Sequence, residues 1–293
     1  MMRVAVYGKQ FQQEVAPFVH ELFIELEKAH MEVLVYEPFY NFLSKQISLN
    51  LFLGTYNSYD ELKENIDLFI SVGGDGTILD ATTLIRDTKI PIIGVNTGRL
   101  GFLADIAKDQ IPKTIKQLIS KRFSIDQRTL IRLETEQEIF GDLNFALNEV
   151  AISRKDTTSM ITITTYINDQ YLNSYWADGL IIATPTGSTG YSLSCGGPIV
   201  MPGSENFIIT PIAPHNLNVR PLVISDKYEI KVKVEGRANQ FLVALDSRIQ
   251  TIDSGIELII KKENFKINMI ETDTQDFSST LRNKLLWGLD KRN

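Results

Sequence analysis

An apolar run, Leu68-Phe69-Ile70-Ser71-Val72, ends at Gly73-Gly74-Asp75-Gly76-Thr77, and a helical pattern follows at once over residues 77–87. A buried strand that turns through bare backbone straight into a helix is the β–loop–α junction of a parallel sheet, whose strands need crossover connections. In open α/β sheets the carboxyl end of such a strand is where ligands bind, and the helix N-terminus offers unpaired N–H groups to an anion. The glycines allow a tight turn and close approach of backbone to a phosphate. The pattern is not a Walker A loop, which needs a Lys-Ser/Thr pair, nor a G-x-G-x-x-G fingerprint. Its distinguishing residue is Asp75. A carboxylate in a phosphate turn repels its ligand unless it meets a metal or takes the proton of an incoming hydroxyl. Both roles belong to phosphoryl transfer. The bland alternative is a glycine-rich turn with Asp75 as a helix cap.

The residues around this junction repeat its rhythm. Arg3–Tyr7, Val33–Tyr36, Asp67–Val72 and Pro91–Val95 read as strands; residues 10–30, 77–87 and 110–120 read as helices, the first with Val15, Val19, Leu22, Phe23 and Leu26 on one stripe. Pro38–Tyr59 is expected to be a functional loop or partly disordered, because it is longer than most connections. After Arg122 the texture changes to short runs rich in Val, Ile, Thr and Tyr, parted by breakers such as Asp253-Ser254-Gly255. The expected fold class is therefore α/β plus all-β: an N-terminal Rossmann-like parallel α/β domain over residues 1–122 and a C-terminal two-sheet β domain over 123–274. A tail over 275–293, helical from about Thr280 to Asp290, is expected to pack back on the first domain.

Composition narrows the function classes. A net charge of −6 lacks the basic excess of a nucleic-acid surface, so no nucleic-acid partner is expected. No run approaches the roughly 18 apolar residues that span a bilayer, and the N-terminus lacks a signal-peptide core, so no membrane partner and a cytoplasmic location are expected. The single cysteine, Cys195, excludes an intramolecular disulfide and reads as a small packing residue.

The richest stretch is Asp178 to Pro198. A buried strand, Leu180–Ala183, opens into Thr184-Pro185-Thr186-Gly187-Ser188-Thr189-Gly190-Tyr191-Ser192-Leu193-Ser194. So dense a run of hydroxyls and glycines presents small donors and bare backbone to a polar ligand, with Tyr191 placed to stack on a ring. Together with Gly73–Thr77, Asn96–Leu103, Asn148-Glu149, Thr210–His215 and Lys284–Gly288, this run closely resembles the NAD kinases, in order from about residue 70 to the C-terminus. Diacylglycerol and sphingosine kinases share the Gly-Gly-Asp-Gly-Thr loop but lack the long run.

The resemblance implies an enzyme that uses ATP, with Mg²⁺ bridging its phosphates, to phosphorylate the adenosine-ribose 2′-hydroxyl of NAD by direct in-line transfer. It implies Asp75 as the catalytic carboxylate and Gly74 and Gly76 as the phosphate cradle. It implies NAD contacts from Asn148, Glu149, Ser159, Asp178, Thr186, Thr189, Gly190, Tyr191, Ser192, Leu193, Ser194 and Arg248, with no metal-ligand site in the protein. Asp178 would act across a subunit boundary, which implies a homodimer or homotetramer, and His215 would reach a phosphate. Trp176 departs from the small or basic residues of relatives, where it would bear on discrimination between NAD and NADH. The alternatives are a lipid kinase of the diacylglycerol type and a non-catalytic NADP(H)-binding sensor.

Overall fold

The computed structural model describes residues 1–48, 53–63, 65–98, 101–104, 106–155, 159–272 and 276–287. The chain divides into two compact units, Met1–Gln127 with Ile267–Asn293, and Arg128–Lys266.

The first unit runs β1 (Arg3–Gly8), α1 (Ala16–Lys28), β2 (Glu32–Tyr36), α2 (Glu37–Leu43), β3 (Leu53–Tyr56), α3 (Tyr59–Leu62), β4 (Leu68–Gly73), α4 (Asp75–Ile85), β5 (Ile92–Asn96) and α5 (Ile111–Ile119). Strand β6 (Ser124–Glu134) carries the chain into the second unit. There follow β7 (Phe145–Ala146), β8 (Glu149–Arg154), β9 (Ile161–Ile167), β10 (Gln170–Ala177), β11 (Gly179–Ala183), α6 (Tyr191–Ser194), β12 (Asn206–Ile212), β13 (Leu222–Ser225), β14 (Ile230–Glu235), β15 (Gln240–Leu245) and β16 (Arg248–Asp253). The long β17 (Glu257–Glu271) returns the chain to the first unit, where α7 (Phe277–Leu285) follows.

The strands of the first unit lie in the order β17-β5-β4-β1-β2-β3, every neighbouring pair parallel. Apolar residues of α1 (Val19, Leu22, Phe23, Leu26) and α5 (Ile111, Ile115, Leu118) share one core with Val4, Val6, Ile70, Val72 and Ile93 of the strands. Strand order reverses between β1 and β4. That is the switch point at which helices leave for opposite faces and a crevice opens at the strands' carboxyl ends. The Gly73–Thr77 loop sits at this end of β4.

The segment Pro38–Tyr59, expected as a loop, is instead α2 followed by β3, with residues 49–52 outside those described. Its aromatics are structural: Phe39 and Tyr56 are buried, and the Tyr56 hydroxyl donates to the Val6 carbonyl at 3.3 Å. A four-residue edge strand is too short to announce itself by alternation, so its pairing with β2 decides it.

The second unit is two antiparallel sheets. One has the order β13-β12-β11-β8-β15-β16; the other contains β10-β9-β14-β17. Ile152, Ile182, Ile209 and Val243 of the first meet Ile163, Tyr175, Val232 and Leu258 of the second in a single core. Strand β11 is buried at all five positions. Its outer residues Ile181 and Ala183 pack with Ala151 and Ile208 beneath Cys195 and Val200, which is why it reads as a continuous apolar run. Among the described residues the runs rich in Val, Ile, Thr and Tyr form strands, and four unforeseen ones join them: β7, β10, β13 and β16, polar or short segments that become strands through their partners.

In the tail, Asp276 caps α7 by accepting the Ser279 N–H at 2.6 Å. The Phe277 ring lies 6.4 Å from that of Phe102, and Lys284 Nζ stands 5.3 Å over Phe102. Residues 288–293, and with them the expected end of the helix, lie outside those described.

Because Ile182 is fully buried on the strand that carries the hydroxyl loop, Ile182→Ala leaves a cavity in the two-sheet core. A loss of about 2–5 kcal/mol is expected from urea unfolding, with the slope of the transition unchanged.

Candidate functional site

The phosphate loop is built by the junction of β4 and α4. Asp75 is the first residue of α4, and the Thr77 N–H already bonds the Gly74 carbonyl at 2.9 Å. Gly74 and Gly76 are exposed, so their backbone faces solvent. The Asp75 carboxylate does not cap its own helix. Its Oδ2 accepts the Phe102 N–H at 2.8 Å, and its Oδ1 accepts those of Leu103 and Ala104 at 3.0 and 2.9 Å. Gly101 is required here, because a Cβ would overlap the carboxylate. Asn96 holds the same segment by donating to the Ala104 carbonyl at 3.0 Å and accepting the Gly98 N–H at 2.7 Å. Arg99 and Leu100, part of the Asn96–Leu103 motif, lie outside the described residues.

In the second unit the turn between β15 and β16 places Asp246 under the start of β8. Asp246 Oδ2 accepts the Leu147 N–H at 2.9 Å, and Oδ1 accepts those of Asn148 and Glu149 at 2.8 and 3.1 Å. The Asp246 N–H returns a bond to the Glu149 carbonyl at 3.2 Å. Asn148 Oδ1 and Glu149 Oε2 are both buried, and no described residue bonds either. A Cβ on Gly190 would stand 3.3 Å from Glu149 Oε2 and 3.4 Å from Asn148 Nδ2, so Gly190 lines the same spot. Two buried polar oxygens without partners beside bare backbone are a site that a polar ligand completes.

The hydroxyl loop divides into scaffold and surface. Thr184 donates to the Leu147 carbonyl at 2.6 Å, Ser188 brackets Val200, and Ser192 shares a hydrogen bond with Thr210 at 2.9 Å. Thr186 is buried and receives Arg128 Nη1 at 3.5 Å. The side chains of Thr186 and Ser192 thus serve the loop itself. Thr189 and Leu193 are half-buried and Ser194 is exposed, while Tyr191 keeps 44% exposure, its ring open to stacking. Burial raises the Tyr191 hydroxyl's pKa, and the charges of Asp178 and Glu149 bear on it, which places all three in one neighbourhood.

Other expected residues are otherwise engaged. Asp178 pairs with Arg154 at 3.0 Å. Arg248 donates to the carbonyls of Leu143 and Phe145 and lies 5.6 Å from the Phe145 ring centroid, so it braces β7. The rings of Trp176 and His215 meet edge to face at 4.5 Å, which ties up the histidine. Ser159 is half-buried and follows residues 156–158, which lie outside the described ones. Cys195 packs against the outer face of β11, and burial raises its thiol, as a packing residue requires.

Residues 9–123 match the ATP-NAD kinase N-terminal domain and residues 147–272 the ATP-NAD kinase C-terminal domain. The chain belongs to the NAD kinase family. The NAD kinase of Flavobacterium psychrophilum is 52% identical over 294 residues, covering all of both chains. Among solved structures, an NAD kinase from Archaeoglobus fulgidus in complex with ATP is 28% identical with a TM-score of 0.75, covering 97% of this chain and 99% of its own. Yeast NADH kinase complexed with NADH shares the fold at 22% identity, with a TM-score of 0.85 over 98% of this chain and 88% of its own. Family membership over both domains sets aside the lipid-kinase alternative raised by the shared loop.

The sequence alone did not reveal Asp246, the amides of Phe102–Ala104 or Arg154. The first binds backbone amides and the second are backbone amides, which carry no residue-type signature. Only the acidic residue in a strand–turn–strand break, Asp246-Ser247, offered a hint.

Burial, with the Asp246 charge second, pushes the Glu149 carboxyl up to about 8. Its proton is therefore retained in the folded state at neutral pH and lost in the unfolded state. A raised folded value means stability that is complete below about 4.5 and falls as pH rises to about 8. Each tenfold difference in proton affinity costs about 1.4 kcal/mol. Glu149→Gln, the neutral isostere, is expected to remove this slope. Thermal melts should show the variant gaining on the wild type by a few kcal/mol between pH 5 and pH 8, and parallel curves would refute the protonated Glu149.

Proposed function

We propose that this chain transfers the γ-phosphoryl group of ATP to the adenosine-ribose 2′-hydroxyl of NAD, giving NADP and ADP. The observation that carries the reading is Asp75: a carboxylate in the phosphate loop, oriented by three backbone amides in a chain of this family. Oδ2 accepts one amide and keeps a lone pair for a hydroxyl proton. In-line attack forms the bond from the ribose oxygen to the γ-phosphorus and breaks the bridging bond to the β-phosphate oxygen. ADP takes that electron pair, and Asp75 takes the hydroxyl proton. The N–H groups of Gly74 and Gly76 hold phosphate oxygens.

Among the described residues no group of three or more His, Cys, Asp or Glu side chains is placed to hold a metal. Mg²⁺ would come with ATP and would supply neutralisation of the phosphate charge. Asn148 and the protonated Glu149 hold NAD, Glu149 as an O–H donor and Asn148 through its amide. Tyr191 stacks on a base, and Thr189, Gly190, Leu193 and Ser194 line the ligand. Thr186 and Ser192 shape that lining from within, while Ser159, Asp178 and Arg248 stand at its margins. Exposed Trp176 and Tyr191, close to Asp178, support a homodimer or homotetramer that completes the site from a second copy. Among the described residues no helix is long and apolar enough to cross a membrane; the setting proposed is cytoplasmic.

The test is NADP formation from NAD, ATP and Mg²⁺ by the purified protein, read with an NADP-specific dehydrogenase and abolished by chelation. NAD binding without turnover would replace the kinase by an NADP(H)-binding sensor. Asp75→Asn is expected to lower turnover by about 10²–10⁴-fold. It also turns an NH₂ group toward amide donors, so a stability loss of about 1–3 kcal/mol accompanies it. Wild-type turnover in that variant would remove Asp75 from the reaction.

A further inference from the structure

Asp246 lies outside every motif that marks the site, yet its carboxylate accepts the backbone amides of both Asn148 and Glu149. Three consecutive amides, Leu147, Asn148 and Glu149, converge on it at 2.8–3.1 Å. Such convergence fixes the backbone from which both orphaned acceptors project, Asn148 Oδ1 and Glu149 Oε2. The Glu149 carbonyl is fixed as well, by the Asp246 N–H at 3.2 Å. Asp246 itself adopts a positive φ of 53°, a conformation that non-glycine residues enter mainly in turns of this kind. The turn thus presents the carboxylate inward, against the start of β8, rather than to solvent.

We propose that Asp246 is a positioning residue for NAD: it gathers the amides of residues 147–149, fixes the Asn148 and Glu149 side chains, and keeps Glu149 in its neutral, hydrogen-bond-donating form. The proposal rests on the kinase reading above. Its electrostatic half follows from which carboxyl has partners. Burial raises the Asp246 carboxyl, but three amide donors on its oxygens and the Arg248 charge work against that rise. Glu149 Oε2 has no donor and faces the Asp246 charge, so a proton shared by the pair resides on Glu149. The other charged or titratable groups bearing on this spot are Tyr191 of α6, Asp178 ahead of β11 with its partner Arg154, and Arg248 of β16.

The experiment measures kcat and KM for NAD from pH 6 to 10 in the wild type, Asp246→Asn and Glu149→Gln, each with a thermal melt. In the wild type, kcat/KM for NAD is expected to fall above about pH 8 as Glu149 ionises. In Glu149→Gln that limb disappears. In Asp246→Asn the limb moves to lower pH by about one unit, and KM for NAD rises about tenfold or more while kcat changes less. A merely structural role would lower the melting temperature without moving the limb. A folded Asp246→Asn enzyme with the wild-type limb and KM overturns the proposal. Asp246→Ser keeps a hydroxyl acceptor without the charge and serves if the asparagine variant does not fold. Failure of both to fold assigns Asp246 to the folding core and also overturns it. Absence of NADP from the wild type is a different failure, visible before any substitution, and it removes the kinase reading and this proposal together.

Discussion

A carboxylate that accepts three consecutive backbone amides occurs in each unit, and the candidate residues of each unit depend on its own. Asp75 takes the amides of Phe102, Leu103 and Ala104; Asp246 takes those of Leu147, Asn148 and Glu149. Amides without partners are costly once buried, so a single anion that satisfies three at once locks a stretch of irregular chain more firmly than side-chain packing does. In the first unit the locked chain follows β5 and leaves Asp75 aimed and immobile. In the second it precedes β8 and aims Asn148 and Glu149.

Both devices sit on rigid scaffolding. The first unit's parallel sheet reverses strand order between β1 and β4, which brings the phosphate loop to the open end of the strands. The second unit's core holds β8 and β11 side by side, in register from Glu149 with Ala183 to Ser153 with Gly179. That pairing sets the Asn148-Glu149 pair beside the hydroxyl loop. Gly187 passes so close to the Asn148 carbonyl that a side chain there would collide with it, so the two segments approach by backbone contact. Much of the hydroxyl loop is spent on this construction: Thr184, Thr186, Ser188 and Ser192 bond within the fold, and what remains for a ligand is bare backbone, the Tyr191 ring and the side chains of Thr189, Leu193 and Ser194.

A buried glutamate without a hydrogen-bond donor marks the site more clearly than its motif does. Folding leaves Glu149 and Asn148 with orphaned oxygens at a cost that packing elsewhere offsets. Such a cost is borne where a ligand supplies the missing partners.

The sequence by itself determined the β–α alternation, the loop at the end of β4, the change to a β-only texture after Arg122 and the identity of the hydroxyl run. Each is written in local patterns: periodicity of two or 3.6, glycine clusters and their order along the chain. The strands β3, β10, β13 and β16 were not legible, because they are short or polar and owe their form to neighbours paired far away in sequence. The division of labour within the hydroxyl run was not legible either, since a threonine reads the same whether it faces a ligand or a carbonyl. Only the tertiary structure showed that Arg248 braces Phe145 and that Asp246 supports Glu149. Hydrogen bonds between a side chain and a remote backbone amide depend on where the chain passes in space, and the amide looks alike in every residue.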